Sequence, residues 1–198
     1  MPDYKHVVFD FGNVLARFDE DYILGKFCSD PADLPLLKKA VFYNWPMLDA
    51  GTADYDASAR HAMTLVPERL RENVRAFFED WYQYLIPIEE IWTLVRELKK
   101  KQISVYILSN APTHFAAHAD FYEIVKEFDG IVFSAPIVMA KPEPDIYQHL
   151  FRTYHLKPED CLFLDDKPEN IEAGRVLGMD GIVFTGDMDA VLRALRSS

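Results

Sequence analysis

A chain of 198 residues with 49% hydrophobic and 27% charged residues has the composition of a globular protein, which excludes a disordered chain. The formal net charge of −11 at pH 7 argues against a nucleic-acid-binding surface and means that an anionic ligand needs a local cation. The N-terminal segment MPDYKHVVFD lacks the pattern of a signal peptide, and the apolar runs are too short for membrane spans. We therefore expect a cytoplasmic protein with no membrane contact.

Five short β-rich runs occur along the chain, and each ends in a polar or small residue. They are HVVFD (6–10), ISVYILSN (103–110), GIVFS (130–134), CLFLDD (161–166) and GIVFTG (181–186). Such near-continuous apolar runs are typical of strands buried on both faces of a parallel sheet. Apolar spacing and the positions of proline and glycine predict helices at 88–101, 144–155 and 168–178. Alternating strands and helices predict an α/β fold with a doubly wound parallel sheet.

The segment from residue 18 to residue 86 interrupts this alternation. It contains amphipathic patterns, among them DYILGKFC, LPLLKKAVFYNW and ERLRENVRAFFEDWYQYL, but no strand pattern. We therefore expect an all-helical cap (18–86) inserted into an α/β core (1–17 and 87–198). Open α/β sheets bind ligands at the carboxyl ends of their strands, so the cap is expected to cover that edge.

Charged and nucleophilic side chains fall at the ends of the predicted strands, with one lysine in a neighbouring loop. They are Asp10, Ser109, Asn110, Asp165, Asp166 and Lys141. Because the carboxyl ends of parallel strands meet at one edge of the sheet, we expect these side chains to converge there.

This ordered set resembles the haloacid dehalogenase superfamily, most of whose members are Mg²⁺-dependent phosphatases. The motifs that carry the resemblance are FDFGNVL with Asp10, LSN with Ser109, KPEPDIY with Lys141, and LDDKPENIEAG with Asp165, Asp166 and Asn170. The resemblance covers nearly the whole chain and implies a Rossmann-like core. FDFGNVL, a cap inserted after the first strand and LSN look most like bacterial phosphatases of small sugar phosphates, glucose 1-phosphate included.

The resemblance implies that Asp10 attacks phosphorus and forms an aspartyl phosphate, which divides one difficult hydrolysis into two displacements. Asp10, Asp166 and the backbone carbonyl of Gly12 are expected to bind Mg²⁺, which prefers oxygen ligands. Asp165 is expected to bind the ion directly or to lie just outside its ligands. Asn170 is interpreted as a partner of a metal ligand or of Lys141, or as a plain helix-turn residue.

The phosphoryl group is expected to be held from the other strand end. The hydroxyl of Ser109 and the backbone amides around Asn110 can donate to its oxygens, and Lys141 adds a fixed positive charge. Without Lys141 the carboxylates would repel an anionic substrate.

Gly12 departs from the family pattern. The usual residue two positions after the nucleophile is an aspartate that protonates the leaving oxygen and later activates water. Asp19, in ARFDED, is a candidate substitute acid, with Asp21 a weaker candidate. The alternative for Asp19 is the N-cap of a helix that begins the cap.

The segment YNWPMLDAG (43–51) is the candidate specificity segment of the cap. Trp45 is predicted to stack on a sugar face and Asp49 to bind hydroxyls, although packing between cap helices is the alternative for Trp45. His114 and His118 are interpreted as surface or supporting residues, because no acid or cysteine with metal-ligand spacing accompanies them.

The sequence thus predicts a cytoplasmic Mg²⁺-dependent phosphatase of small phosphorylated metabolites, as a monomer or homodimer. One alternative is a 2-haloacid dehalogenase, which uses the same nucleophile without a metal; Asp165 and Asp166 argue against it, because they would repel a substrate carboxylate unless a cation intervened. The other is a phosphometabolite-binding protein whose catalysis lapsed with the acid at position 12. The intact Asp10 favours an enzyme.

Overall fold

A computed structural model describes residues 4–195, which contain a parallel sheet flanked by helices. The strands are β1 (His6–Phe9), β2 (Ala16–Arg17), β3 (Ile86–Pro87), β4 (Ser104–Ser109), β5 (Gly130–Phe133), β6 (Cys161–Asp165) and β7 (Asp180–Val183). Five of them form the main sheet in the order β5-β4-β1-β6-β7, and every neighbouring pair is parallel. The predicted doubly wound α/β fold is confirmed.

The helices follow the strands on both faces of this sheet and also fill the segment between β2 and β3. They are α1 (Glu20–Leu24), α2 (Leu34–Val41), α3 (Trp45–Asp49), α4 (Tyr55–Thr64), α5 (Arg71–Asp80), α6 (Glu89–Lys100), α7 (Thr113–His118), α8 (Ser134–Ile137), α9 (Pro144–Tyr154), α10 (Pro168–Val176) and α11 (Met188–Ala194). Short 3₁₀ turns link several of them. In the described part of the chain, no helix combines the length and apolar character needed to cross a bilayer.

Burial on both faces explains the apolar runs of the sheet. In β1, Val7 and Phe9 join the larger of two hydrophobic clusters, whereas Val8 joins the cluster on the opposite face with α9. Alternate residues therefore enter different cores, and neither face leaves room for a polar residue. After the half-buried His6 at the start of β1, the next polar side chain is Asp10, directly after the strand, where the chain leaves the sheet.

Two small elements at the junction with the helical segment were missed by the sequence analysis. β2 and β3 pair antiparallel, with Ala16 opposite Pro87 and Arg17 opposite Ile86. Two residues are too few to show an alternating pattern. The pairing lies at the proposed boundaries of the cap, and the division into a core (1–17 and 87–198) and a cap (18–86) remains a proposal.

The larger hydrophobic cluster runs from the sheet into the helical segment. Phe77 of α5 belongs to it together with Phe9 of β1. Trp81 stacks on Phe115, with 5.6 Å between ring centroids, and Phe115 packs edge-on against Phe11 at 4.8 Å. These aromatic contacts hold the helical segment over the carboxyl ends of the strands.

A second attachment joins the end of α3 to α8. The buried hydroxyl of Ser134 donates a hydrogen bond to the carbonyl of Asp49. Gly51 has φ +71°, and a Cβ there would lie 2.3 Å from the carbonyl oxygen of Ala135. Only glycine allows both this backbone conformation and this approach.

We expect Gly51→Ala to destabilise the protein more than Gly186→Ala does. Gly186 also has positive φ, at +88°, but a Cβ added there would meet no atom within 4 Å. Gly186→Ala should therefore lose only the conformational cost of about 1–2 kcal/mol, whereas Gly51→Ala should lose about 1–3 kcal/mol more through the clash. Urea unfolding of both variants measures the difference, and equal losses would contradict the tight contact with Ala135.

Candidate active site

A cleft of about 230 Å³ opens at the carboxyl ends of β1, β4 and β6, beneath the helical segment. The residues that line it are Asp10, Phe11, Gly12, Asn13, Phe18, Glu20, Trp45, Asp49, Trp81, Leu85, Ser109, Asn110, Ala111, Pro112, Phe115, Lys141, Asp166, Lys167 and Asn170. The strand ends provide the polar floor, and aromatic side chains provide much of the wall.

A chain of three buried charges forms the floor of the cleft. The ammonium of Lys141 lies 3.0 Å from Oδ1 of Asp10 and 2.6 Å from Oδ2 of Asp165. The exposed fractions of Lys141, Asp10 and Asp165 are 5%, 7% and 0%, so water screens the charges little. Lys141 thus neutralises two carboxylates that would otherwise repel each other.

The pKa values of Asp10 and Lys141 reflect this arrangement. Burial raises the pKa of Asp10, while Lys141 and the hydroxyl of Ser109 oppose the rise by stabilising the carboxylate. Burial by itself would lower the pKa of Lys141, but Asp10 and Asp165 outweigh it and leave that pKa above its usual value. Lys141 therefore stays charged.

Both carboxylate oxygens of Asp165 accept hydrogen bonds, which fix this end of the row of three charges. Its Oδ1 accepts hydrogen bonds from the backbone amide of Lys167 at 2.8 Å and from the side-chain amide of Asn170 at 2.9 Å. The same Asn170 nitrogen lies 2.9 Å from Oδ2. Asn170 is thus a hydrogen-bond partner of Asp165, and its role beside a metal ligand stays a prediction. The first turn of α10 orients Asp165, and Asp165 orients Lys141.

The backbone of Lys141 is fixed by the end of β4. The side-chain amide of Asn110 donates to the Lys141 carbonyl and accepts from the Lys141 amide, both at 2.8 Å. Ser109, which is 2% exposed, precedes it at the strand end. The predicted convergence of Ser109, Asn110 and Lys141 with Asp10 is therefore seen in the structure.

The acidic residues also meet the requirements of a hard divalent cation. Asp10, Asp165 and Asp166 each offer a carboxylate oxygen, and these oxygens lie within 4.8 Å of one another. Within residues 4–195 the carbonyl of Gly12 accepts no hydrogen bond, which leaves it available as a ligand. An all-oxygen set of this kind suits Mg²⁺.

Asn13 positions one of these carboxylates and was missed by the sequence analysis. Its side-chain amide donates to Oδ2 of Asp166 at 2.9 Å, and its side-chain oxygen accepts from the amide of Phe18 at 3.0 Å. Asn13 has φ +58°, a left-handed conformation that asparagine tolerates better than most residues. The FGN tripeptide after Asp10 was a usable signal for this turn.

Asp19, a candidate acid, and Asp49, a predicted hydroxyl-binding residue, occupy different places in the helical segment. Asp19 is the N-cap of α1, where its carboxylate accepts from the amide of Tyr22 at 3.0 Å, and it does not line the cleft. Asp49, at the end of α3, does line the cleft. The alternative interpretation of Asp19 as a helix cap therefore describes its position.

Trp45 lines the cleft and also packs within the helical segment. Its ring lies 5.0 Å from those of Phe42 and Trp81, measured between centroids. Outside the cleft, His114 and His118 contact each other at 4.4 Å and stack on Tyr55 and Tyr82, respectively. The histidines of α7 thus pack against the helical segment, and Trp45 both lines the cleft and packs against its aromatic neighbours.

A model of the haloacid dehalogenase-like hydrolase family matches residues 4–178. The chain therefore belongs to this family of hydrolases, and the motifs that carried the resemblance are the ones that build the cleft.

Curated relatives include several phosphatases. The chain is 25% identical over 191 residues to D-ribitol-5-phosphate phosphatase of Bacteroides thetaiotaomicron, an alignment that covers 89% of each protein. It is 31% identical over 121 residues to the sesquiterpene phosphatase astK of Aspergillus oryzae, covering 58% of this chain and 59% of that protein. It is also 27% identical over 187 residues to bifunctional epoxide hydrolase 2 of Rattus norvegicus, 89% of this chain but 32% of that protein. The chain thus spans less than two thirds of the length of the last two.

Solved structures share the fold. A HAD family enzyme from Bacteroides thetaiotaomicron superposes with a TM-score of 0.72 at 20% identity, over 96% of this chain and 98% of that one. An alanine variant of that enzyme, in complex with magnesium and inorganic phosphate, gives 0.73. The L-2-haloacid dehalogenase of Xanthobacter autotrophicus gives 0.66 at 19% identity, over 98% of this chain and 83% of that one. At identities of 19–20% the similarity shows the fold alone. One fold can carry different reactions, so the similarity does not decide between phosphate hydrolysis and dehalogenation.

Removing the charge of Lys141 should destabilise the protein strongly. Lys141→Met keeps most of the side-chain volume but leaves Asp10 and Asp165 buried and facing each other, so we expect a loss of about 3–5 kcal/mol in the free energy of unfolding. Urea unfolding provides the measurement.

The matched control is Lys5→Met, which breaks the exposed ion pair between Lys5 and Asp160 at 2.9 Å. Exposed pairs contribute little to stability, so this variant should unfold nearly as the wild type does. Equal losses in the free energy of unfolding of Lys141→Met and Lys5→Met would contradict the stabilising role assigned to the buried ion pairs of Lys141.

Proposed function

We propose that the protein is a cytoplasmic Mg²⁺-dependent phosphatase that hydrolyses small phosphorylated metabolites, with sugar phosphates as the favoured class, as a monomer or homodimer. The observation that carries the proposal is the position of Asp10. Its buried carboxyl group lies at a strand end, forms an ion pair with Lys141, and lies beside two further acids that can bind a divalent cation. The phosphatases among the relatives support the same reaction class.

The chain's own residues account for a two-step hydrolysis. The backbone amide of Phe11 donates to Oδ1 of Asp10 at 2.7 Å and orients the carboxylate for attack on phosphorus. Lys141 and the hydroxyl of Ser109 stabilise the charge of the transferring phosphoryl group. Asp10 becomes an aspartyl phosphate, and water then releases inorganic phosphate. Mg²⁺, held by Asp10, Asp166 and the Gly12 carbonyl, would neutralise part of the phosphoryl charge.

The acidic cluster favours this reaction over dehalogenation. Asp166 is half-buried and lies within 4.8 Å of Asp10, measured between ligand oxygens. Within residues 4–195 the cleft is lined by two lysines, Lys141 and Lys167, against the three carboxylates of the cluster, so a halocarboxylate without a metal would face net repulsion. A phosphate bound with Mg²⁺ brings the missing positive charge.

The cleft also limits the size of the substrate. A volume of about 230 Å³ accepts a compact leaving group. Phe18, Trp45 and Trp81 provide apolar faces, while Asp49 provides a polar group for hydroxyls. This combination suits a small polyol or sugar with one apolar ring or chain face.

The direct test is phosphate release from a panel of phosphorylated metabolites, with p-nitrophenyl phosphate and a 2-haloacid as controls, in Mg²⁺ and in EDTA. We expect turnover of at least one sugar or polyol phosphate, loss of turnover in EDTA and recovery when Mg²⁺ is restored. Metal-independent release of halide would support the dehalogenase alternative instead.

The variant that accompanies this panel is Asp10→Asn, which should abolish turnover because the amide cannot attack phosphorus. Asp145→Asn makes the same chemical change at an exposed position of α9 and should keep wild-type rates. Circular dichroism confirms that both variants fold. Activity of Asp10→Asn near that of Asp145→Asn would remove the nucleophile from the proposed mechanism.

A further inference from the structure

In the part of the chain that the structure describes, one carboxyl group that lines the cleft has no hydrogen-bond or ion-pair partner. Of the acids that line it, Asp10 pairs with Lys141, Asp166 accepts from Asn13, and Glu20 lies 2.9 Å from the ammonium of Lys38. Asp49 is the exception. Within residues 4–195 its carboxyl makes no hydrogen bond or ion pair, although it is half-buried at the end of α3.

The position of Asp49 is fixed by its backbone rather than by its carboxyl. Ser134 of the core donates to its carbonyl, and two residues later Gly51 lies against Ala135. The side chain therefore comes from the helical segment but is anchored to α8. The backbone contacts therefore fix where the Asp49 carboxyl lies in the cleft, while the carboxyl itself stays available to a substrate.

The environment favours the protonated form of Asp49. Burial raises the pKa of its carboxyl to about 7, with the negative charge of Asp10 adding to the shift and Lys167 and Lys141 opposing it. A carboxyl that titrates near neutral pH can both donate and accept a proton, which is the requirement for general acid–base catalysis.

The family's usual general acid is an aspartate two residues after the nucleophile, and this chain has Gly12 at that position. Gly12 lines the same cleft, and a Cβ built there would have no atom within 4 Å. The backbone therefore has room for a carboxyl-bearing side chain that the sequence does not supply. The reaction needs a proton donor, and Glu20 and Asp166 are engaged with other groups.

We propose that Asp49 is the general acid and base of this enzyme. The proposal rests on the phosphatase function proposed above. In the first step Asp10 forms a bond to phosphorus, the bond from phosphorus to the leaving oxygen breaks, and the proton of Asp49 moves to that oxygen. In the second step the Asp49 carboxylate takes a proton from water as the water oxygen attacks phosphorus and the bond to Asp10 breaks. Phosphate leaves, and Asp49 is protonated again.

The test compares Asp49→Asn with wild type on an alkyl phosphate and on p-nitrophenyl phosphate. Asparagine keeps the size and the hydroxyl contacts but cannot give up a proton. We expect kcat on the alkyl phosphate to fall about 10²- to 10⁴-fold with little change in KM. Because p-nitrophenolate leaves without protonation, its first-turnover burst should remain, followed by slow hydrolysis of the aspartyl phosphate.

Two further variants separate catalysis from structure. Asp56→Asn makes the same change at an exposed position of the same helical segment and should behave as wild type. Adding Gly12→Asp to Asp49→Asn places a carboxyl in the open space of the cleft and should restore much of the lost kcat. Asp49→Ser provides a second truncation and should show the same dependence on the leaving group.

The outcomes are distinct. A wild type that releases no phosphate from any substrate in Mg²⁺ would overturn the proposed function and this inference together. An active wild type would overturn the inference alone in either of two cases. In the first, Asp49→Asn raises only KM; in the second, it slows the first turnover of both substrates equally and Gly12→Asp brings no recovery.

Discussion

The ion chain from Asp10 through Lys141 to Asp165 is the constraint on which the site depends. Three charges buried beneath a cleft are stable only because each has a partner, and the partners come from β1, the loop before α9, and the end of β6. The fold thereby links Asp10, the proposed nucleophile, to Asp165. Asn170 and the amide of Lys167 hold Asp165, so the orientation of Asp10 depends on the first turn of α10.

The helical segment contributes side chains to the cleft as well as covering it. Its aromatic side chains share a hydrophobic cluster with the sheet, and its Asp49 is fastened to α8 through Ser134. In the proposed mechanism the strand ends and their loops provide Asp10, Lys141 and the acidic cluster, while the helical segment provides the apolar wall of the cleft and Asp49.

Sequence reasoning predicted the sheet and the strand-end residues because both follow from short-range rules. Strands buried on two faces give continuous apolar runs, and parallel strands bring their carboxyl ends to one edge. The placement of Asp19 and Asp49 could not be predicted in this way. The position of Asp49 in the cleft depends on contacts between residues far apart in the chain, such as the approach of Gly51 to Ala135. β2 and β3 were missed because two-residue strands leave no periodic signal.

The central claim is that Asp10 carries the phosphoryl group during turnover. Rapid acid quenching of the enzyme with its best phosphate substrate and Mg²⁺, followed by peptide mass spectrometry, measures this directly. We expect phosphate on the peptide that contains Asp10, and we expect none without Mg²⁺ or in a sample quenched after the substrate is exhausted. Turnover under the same conditions with an unmodified Asp10 peptide at every quench time, or phosphate on a different residue, would contradict it.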